Sequence, residues 1–350
     1  MNTIVAETGG KTVRKVLYEA CRLQRQWPEN IQPQDTAFFS INKTFELPVS
    51  YVLRLEKASL LADGVVFRAG HIYDETFVGP AFRVHNWRGL VYIYLTLPKV
   101  ALPPGVRYLL VHDDWANNYY HWIADSLPRL FTVREQLPEL TLLLPDNYTA
   151  PFIEETLRVF GVKHIQRLKS NVRYAVDDLL VPLRVAPLTN YRPEVMRELS
   201  AFLLKQFQPL PHTGLGKRIY ISRSRATRRK VINEQQVIKM LAAKGFAIVC
   251  FEDYTFQEQV SIAAQAQYLV SIHGAGLTNM LFMPPNGCVL ELQMRDDGSN
   301  CFYYTMADSL NIKYYYQFCE TIDANLSVQD ADLLVNVSEL SNVIDLMINE

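Results

Sequence analysis

The chain is 350 residues long and 40.2 kDa, more than one compact core usually holds, so two lobes are expected. Apolar residues make up 49% and charged residues 20%, with 17 Phe and 19 Tyr, which excludes collagen, coiled coil and disorder and supplies material for packed α/β layers. A net charge of −1 and a pI near 6.7 lack the basic excess that nucleic-acid binding draws on, so no nucleic-acid partner is expected.

Cys21, Cys250, Cys288, Cys301 and Cys319 form an odd set with no C-x-x-C, which argues against a disulfide framework or zinc knuckle and for a reducing compartment. The opening MNTIVAETGGKTVRK has no basic leader followed by an apolar core, so a cytoplasmic location is expected. The longest stretch without Asp, Glu, Lys or Arg, 259–290, is long enough to raise a membrane span. Gln265, Gln267, His273, Asn279, Pro284, Pro285 and Asn286 interrupt it, and it reads as helices and strands around a glycine turn.

In chain order, short β-branched and aromatic runs open the molecule, among them VSYVLRL (49–55) and LVYIYLTL (90–97); they predict a strand-rich region over 1–100. From 107 the rhythm becomes strand then helix: RYLLVHD, a helix over 119–136, TLLLP, a helix over 151–160, HIQRL and DDLLVPL. A parallel sheet with covering helices follows from that alternation. A helix over 193–207 leads into QPLPHTGLGK (208–217), which is rich in Pro and Gly and marks the expected domain boundary. The expected division is therefore 1–207, a linker at 208–217, and 218–350.

The second half alternates more regularly: RIYIS, a helix over 233–244, FAIVCF, a helix over 256–266, YLVSI, HGAGLTN, a helix through 283, and GCVLELQ. A helix over 301–310, IKYYYQF and a terminal helix over 338–349 complete it. Two doubly wound lobes are the expected architecture. After Lys313 the tail has no Lys or Arg.

Four segments carry candidate chemistry. HGAGLTN (273–279) follows a buried strand; Gly274 and Gly276 let the backbone approach a ligand, and free N–H groups at a helix start suit an anion. A plain strand-to-helix turn also uses glycine, but His273, Thr278 and Asn279 add polar groups that such a turn does not need. GKRIYISRSRATRRK (216–230) holds Lys217, Arg218, Arg223, Arg225, Arg228, Arg229 and Lys230 and no acid. Arg223 and Arg225, just after an apolar strand, suit a phosphate; Arg228, Arg229 and Lys230 suit a solvated loop or contact with an anionic membrane. In NNYYHWIADSLPRL (117–130), His121 and Asp125 stand four apart, where a carboxylate orients an imidazole as general base. Asn118, Tyr119 and Trp122 around them suit a sugar-contacting wall. Glu291 ends a strand and suits either the hydroxyls of a ribose or an ordinary surface pairing.

Other matches fail. GGKT (9–12) lacks the first glycine of a phosphate loop, which would fall at Val5, and no strand is expected before it. No G-x-S-x-G and no strand-following G-x-G-x-x-G occurs. Asp330 and Asp332 have metal-ligand spacing but lie in the acidic tail, and no metal site is expected.

Taken in order, NYYHWIADSLPRL, RIYISRSRA, EDYTFQEQ (252–259) and HGAGLTNMLFM with VLEL resemble the glycosyltransferase family 61 pattern of bacterial capsular polysaccharide enzymes and of eukaryotic O-linked sugar and plant xylan transferases. The resemblance covers roughly 107–295. It implies a GT-B fold, two facing Rossmann-like lobes with the nucleotide-sugar donor on the C-terminal one and the acceptor on the N-terminal one. Inverting transfer without a bound metal or other cofactor is implied as well. On that basis His121 and Asp125 are the catalytic pair. Arg223, Arg225, His273, Gly274, Ala275, Gly276, Leu277, Thr278 and Asn279 hold the donor phosphates. Glu252, with Tyr254, lines the nucleotide pocket, and Glu291 holds the ribose. The expected partners are a nucleotide sugar, UDP-linked first, and an oligosaccharide or lipid-linked glycan acceptor at the inner face of the plasma membrane. A nucleotide-sugar epimerase or hydrolase, or a non-catalytic nucleotide-sugar-binding protein, are the alternatives.

Overall fold

The structure is a computed structural model and describes residues 2–7, 10–78, 87–211, 213–295, 300–321, 326 and 330–349. Gly9 of the GGKT match and His212 of the expected linker lie outside them. By its internal contacts the chain divides into two units, Met1–Cys21 with Pro48–Pro187, and Arg22–Leu47 with Leu188–Glu350. Both are α/β.

The first unit holds a mixed sheet in the order Asn2–Glu7, Gly10–Tyr18, Ser50–Leu60, Arg173–Pro182, Arg107–Leu109, Thr141–Pro145 and His164–Leu168. Its first four strands run antiparallel to one another in turn. From Arg173–Pro182 onward the pairing is parallel. The expected strand-rich region and the α/β region thus share one sheet, and this unit departs from the all-parallel, doubly wound lobe expected from sequence. The reason is that Ser50–Leu60 has the mixed inward and outward burial of an antiparallel strand and pairs with the flank of Arg173–Pro182. Leu53, Leu55, Tyr108, Leu143, Leu168, Leu179 and Val181 form its core. A strand does precede GGKT, contrary to expectation, but it is one arm of an antiparallel hairpin, and Lys11 and Thr12 sit in the other arm.

Two helical readings change. The run at 90–97, expected as strand, lies mostly in a helix, Trp87–Thr96. Leu90 and Ile93, three apart, bury against Leu61, Val65, Phe67 and Phe77, a helical period that its β-branched and aromatic composition masks. The helix expected over 119–136 is broken into Tyr119–His121, a π-helical turn Trp122–Ser126, Leu127–Thr132 and a 3-10 turn Arg134–Glu139. Pro128 accounts for the wide turn: it has no N–H, and its ring crowds the carbonyl four residues back.

The second unit is the more regular. Its sheet runs Ala247–Val249, Arg218–Ile221, Tyr268–Ile272, Cys288–Met294, Lys313–Thr321 and Leu333–Leu334. All neighbours are parallel except the last pair. In chain order the five parallel strands read 2-1-3-4-5, a doubly wound sheet whose direction of growth reverses between Arg218–Ile221 and Tyr268–Ile272. Helix Phe256–Gln265 begins with a capping box between Thr255 and Glu258, so part of EDYTFQEQ is helix-start chemistry. The segment after HGAG is a 3-10 helix, Ala275–Phe282, where an ordinary helix was expected.

The division falls elsewhere than at 208–217. Helix Pro193–Phe207 belongs to the second unit, where Ser200 donates to the Leu281 carbonyl at 2.5 Å. Residues 22–47 join it too: Phe39 meets the rings of Tyr304 and Tyr316 at 5.2 and 4.7 Å, and the Tyr316 hydroxyl donates to Asp35 at 2.5 Å. Aromatic burial from a distant segment outweighs the composition of the Pro- and Gly-rich stretch.

Candidate functional site

In the first unit the site grows from the carboxyl end of Arg107–Leu109. The chain stays buried through Asp113, then Asn118 caps the next turn by accepting from the Tyr120 N–H at 2.9 Å. That turn places His121 Nδ1 2.8 Å from Asp125 Oδ2, with the imidazole 18% exposed. When Nδ1–H donates to the carboxylate, Nε2 carries the lone pair and is the nitrogen able to accept a proton. The ring is held on its sides by Trp115 and Tyr120, whose centroids lie 5.0 and 4.9 Å away.

The expected acceptor wall is only partly present. Trp122 is fully buried and donates to Thr156 Oγ1 at 2.8 Å; it belongs to the core and is withdrawn from the acceptor side. Its place in the π-helical turn points it inward, while Tyr119 is half-buried against Phe152 at 5.1 Å and Asn118 is exposed. Trp115, exposed and tilted against the His121 ring, is the aromatic that the sequence reading missed.

Beneath the His121–Asp125 pair lies a buried charge cluster that was also missed. Asp113 is ion-paired to Arg184 and stands 3.5 Å from Arg129 Nη1. Its other oxygen accepts from the Trp115 N–H at 3.0 Å. Arg129 Nε donates to the Pro182 carbonyl at 2.7 Å. The Arg129 guanidinium is lowered to about 10, by burial first, with Asp113 opposing, Arg184 adding to the shift and Asp125 opposing it. Next in the chain, His112 is fully enclosed, its Nε2 2.9 Å from the Ala62 carbonyl, and burial lowers its pKa to about 4.

In the second unit the register pairs Ile221 with Ser271, so 222–223 and 272–274 leave the sheet side by side at the reversal point. Arg223 lies flat against Gly274: a Cβ there would stand 2.7 Å from Nη1. Gly276 faces Ile221, whose Cγ2 would be 3.3 Å from a Cβ. The glycines therefore serve side-chain packing at the carboxyl edge, and Gly274 admits a cation there. Arg223 Nε donates to the Arg229 carbonyl at 3.3 Å, and Arg229 takes a left-handed backbone, φ 56°.

Arg229 was expected in a solvated loop; it is half-buried instead, with Nε enclosed and without a hydrogen-bond partner. Burial, then Arg223, lowers its pKa, and burial lowers that of Arg223. Neither guanidinium has a carboxylate at ion-pair distance among the described residues, whereas the exposed cations of the same loop do. Arg225 pairs with Asp253 and Arg228 with Asp330 at 2.6 Å; separately, the Lys230 backbone N–H donates to Asp332 at 2.7 Å. Asp330 and Asp332 thereby bind the basic loop, and Arg225 is already neutralised at the surface.

Glu291 does not reach an open crevice. It is fully buried, with one oxygen on His273 Nδ1 and the other accepting from the Tyr314 hydroxyl at 2.6 Å. Those partners occupy both oxygens, so the ribose assignment is withdrawn and Glu291 orients His273. Its charge and burial raise the Tyr303 hydroxyl's pKa, burial first, and Tyr303 packs on His273 at 5.1 Å. Leu277, Thr278 and Asn279 are buried, Asn279 Nδ2 donating to the Gly276 carbonyl at 3.1 Å, while Ala275 and Gly276 are partly exposed. Glu252 is exposed on the turn Phe251–Asp253 and favours the charged form of Arg223.

A family model described as Glycosyltransferase 61 matches residues 119–290. The chain is 32% identical over 250 residues to the EGF domain-specific O-linked N-acetylglucosamine transferase of Drosophila melanogaster, covering 65% of this chain and 46% of that protein. It is 33% identical over 102 residues to human protein O-linked-mannose beta-1,4-N-acetylglucosaminyltransferase 2, covering 28% of this chain and 17% of that one. The chain thus spans less than half the length of these curated relatives. Among solved structures, the bacterial iron-containing dodecameric glycosyltransferase TibC of enterotoxigenic E. coli aligns over 97% of this chain and 93% of its own at 9% identity, with a TM-score of 0.32, too weak a likeness to bear on the fold.

Proposed function

Residues 119–290 belong to the glycosyltransferase 61 family, and from that premise we propose that the chain moves a sugar from a nucleotide-sugar donor to a glycan hydroxyl with inversion. Two half-buried guanidiniums, Arg223 and Arg229, standing at the carboxyl edge of a doubly wound sheet with no carboxylate at ion-pair distance among the described residues, are the observation that carries this reading. A diphosphate supplies the two adjacent negative charges that such a pair lacks. The N–H groups of Ala275 and Gly276 start a helical segment at the same edge and add donors.

In this reaction His121 Nε2 takes the acceptor hydroxyl proton as the oxygen bonds to the anomeric carbon. The bond to the diphosphate oxygen breaks on the opposite face, and Arg223 and Arg229 hold the charge that grows there. Asp125, 2.8 Å from Nδ1, fixes the imidazole tautomer. The GT-B arrangement implied by the resemblance, a UDP-linked donor, metal independence and a cytoplasmic setting in cell-surface polysaccharide assembly are part of the proposal. Both curated relatives named above transfer N-acetylglucosamine by name, so UDP-N-acetylglucosamine is the first donor to offer.

The test is a calorimetric titration with UDP beside a turnover assay in excess chelator. His121→Ala is expected to lower turnover by about 10²–10⁴-fold with UDP affinity nearly unchanged. Loss of UDP binding in that variant would remove His121 as base. A requirement for Mn or Mg would remove the metal-free step, and donor consumption without an acceptor product would favour the hydrolase or epimerase alternative.

A further inference from the structure

We propose that the outer face of helix Trp87–Thr96 docks on an anionic lipid surface, a property independent of the transfer reaction. This helix buries Leu90 and Ile93 but also presents Val91, Tyr92, Tyr94 and Leu95 to solvent, Tyr92 at 56% and Leu95 at 81% exposure. A surface helix ordinarily carries polar residues outward; one that is apolar on both faces is covered by something on its second face.

The surrounding charge identifies the cover. Arg88 is exposed on the helix, and Lys99 and Val100 are exposed on the adjoining strand Lys99–Ala101. The Arg173 guanidinium, on the strand paired with it, lies over the Tyr94 ring at 4.3 Å. In the sequence no Asp or Glu occurs from 76 through 112, a span that includes the exposed Arg88 and Lys99. Tyrosines and leucine flanked by cations match the interface between headgroups and acyl chains. Ten residues rise only about 15 Å, so the helix lies in the interface; among the described residues no helix is long and apolar enough to cross a membrane. A second copy fits less well, because a two-fold contact would set this basic face against itself. The anionic-membrane contact expected at Arg228, Arg229 and Lys230 thereby moves here, since Arg228 is paired with Asp330 and Arg229 is half-buried.

The experiment is flotation of the full chain with phosphatidylcholine vesicles, with and without phosphatidylglycerol. Flotation only with phosphatidylglycerol, released by high salt and weakened about tenfold or more in both Leu95→Asp and Tyr92→Asp, is expected. Both positions are exposed, and an unchanged melting temperature confirms that the variants fold. Arg228→Ala is expected to float like the wild type. No flotation, equal flotation of the Asp variants, or a wild-type dimer that Leu95→Asp dissociates would each overturn the proposal. All of these are read without turnover, so they stand apart from the fate of the transferase reading.

Discussion

Each unit gathers arginines at the carboxyl ends of parallel strands, and the two clusters are neutralised in different ways. In the first, Arg129 and Arg184 converge on Asp113, and Asp125 stands close enough to favour the charged form of Arg129. In the second, Arg223 and Arg229 repel one another, and the carboxylates nearby pair with exposed neighbours in the loop. A buried cation matched from within is scaffold; it fixes the helical turn that carries His121. One left unmatched costs desolvation without return until an anion arrives from outside, which is how a phosphate site is built.

The comparison breaks first at Arg129. Arg129→Met leaves a buried carboxylate short of one partner and is expected to cost about 3–5 kcal/mol, read by chemical denaturation; a loss below about 1 kcal/mol would mean that the cluster is not internally balanced. In the second unit, Arg223→Ala and Arg229→Ala are each expected to weaken UDP by about 2–4 kcal/mol while stability changes little. Calorimetry that showed full UDP affinity in Arg229→Ala would return that residue to the solvated loop.

A third measurement sharpens the burial argument through pH. His112 is held neutral with its pKa lowered to about 4, so the unfolded chain binds a proton that the folded chain refuses between pH 4 and about 6.5. Stability is therefore present above 6.5 and falls as pH drops through that window, by about 2 kcal/mol from pH 7 to pH 5. His112→Gln is expected to flatten that part of the profile, and an unaltered slope would place its origin elsewhere. The smallest effect belongs to Arg225→Ala, whose exposed pair with Asp253 is worth about 0–1 kcal/mol; a large loss of UDP affinity there would favour the original assignment of Arg225 to the donor.

Much of this was legible in the residues. The alternation of the second unit follows from runs such as RIYIS, YLVSI and GCVLELQ, each a buried parallel strand in the sheet. The four-residue spacing of His121 and Asp125 still brings their side chains together, at 2.8 Å, although Asp125 lies within the π-helical turn. Arg223 beside HGAG was also readable, as adjacent strand ends in such a sheet converge. Trp122, Glu291, Arg129 and Arg229 were not, because the letter carries no burial: Trp122 is one residue from His121 yet faces the core. For Glu291 the only available sign was its place after the apolar run Cys288–Leu290 and before Leu292, which is consistent with complete enclosure.

Local rules fixed the order of helices and strands, the turn glycines and the imidazole–carboxylate pair, since each depends on neighbours within a few positions. Folding in three dimensions chose which charges lose their water and which partners meet them. It sent residues 22–47 to the second unit, turned 87–96 into a helix with an exposed apolar side, and left Arg223 and Arg229 with no carboxylate at ion-pair distance among the described residues. Desolvation and pairing depend on groups far apart along the chain, so no reading of adjacent residues could supply them.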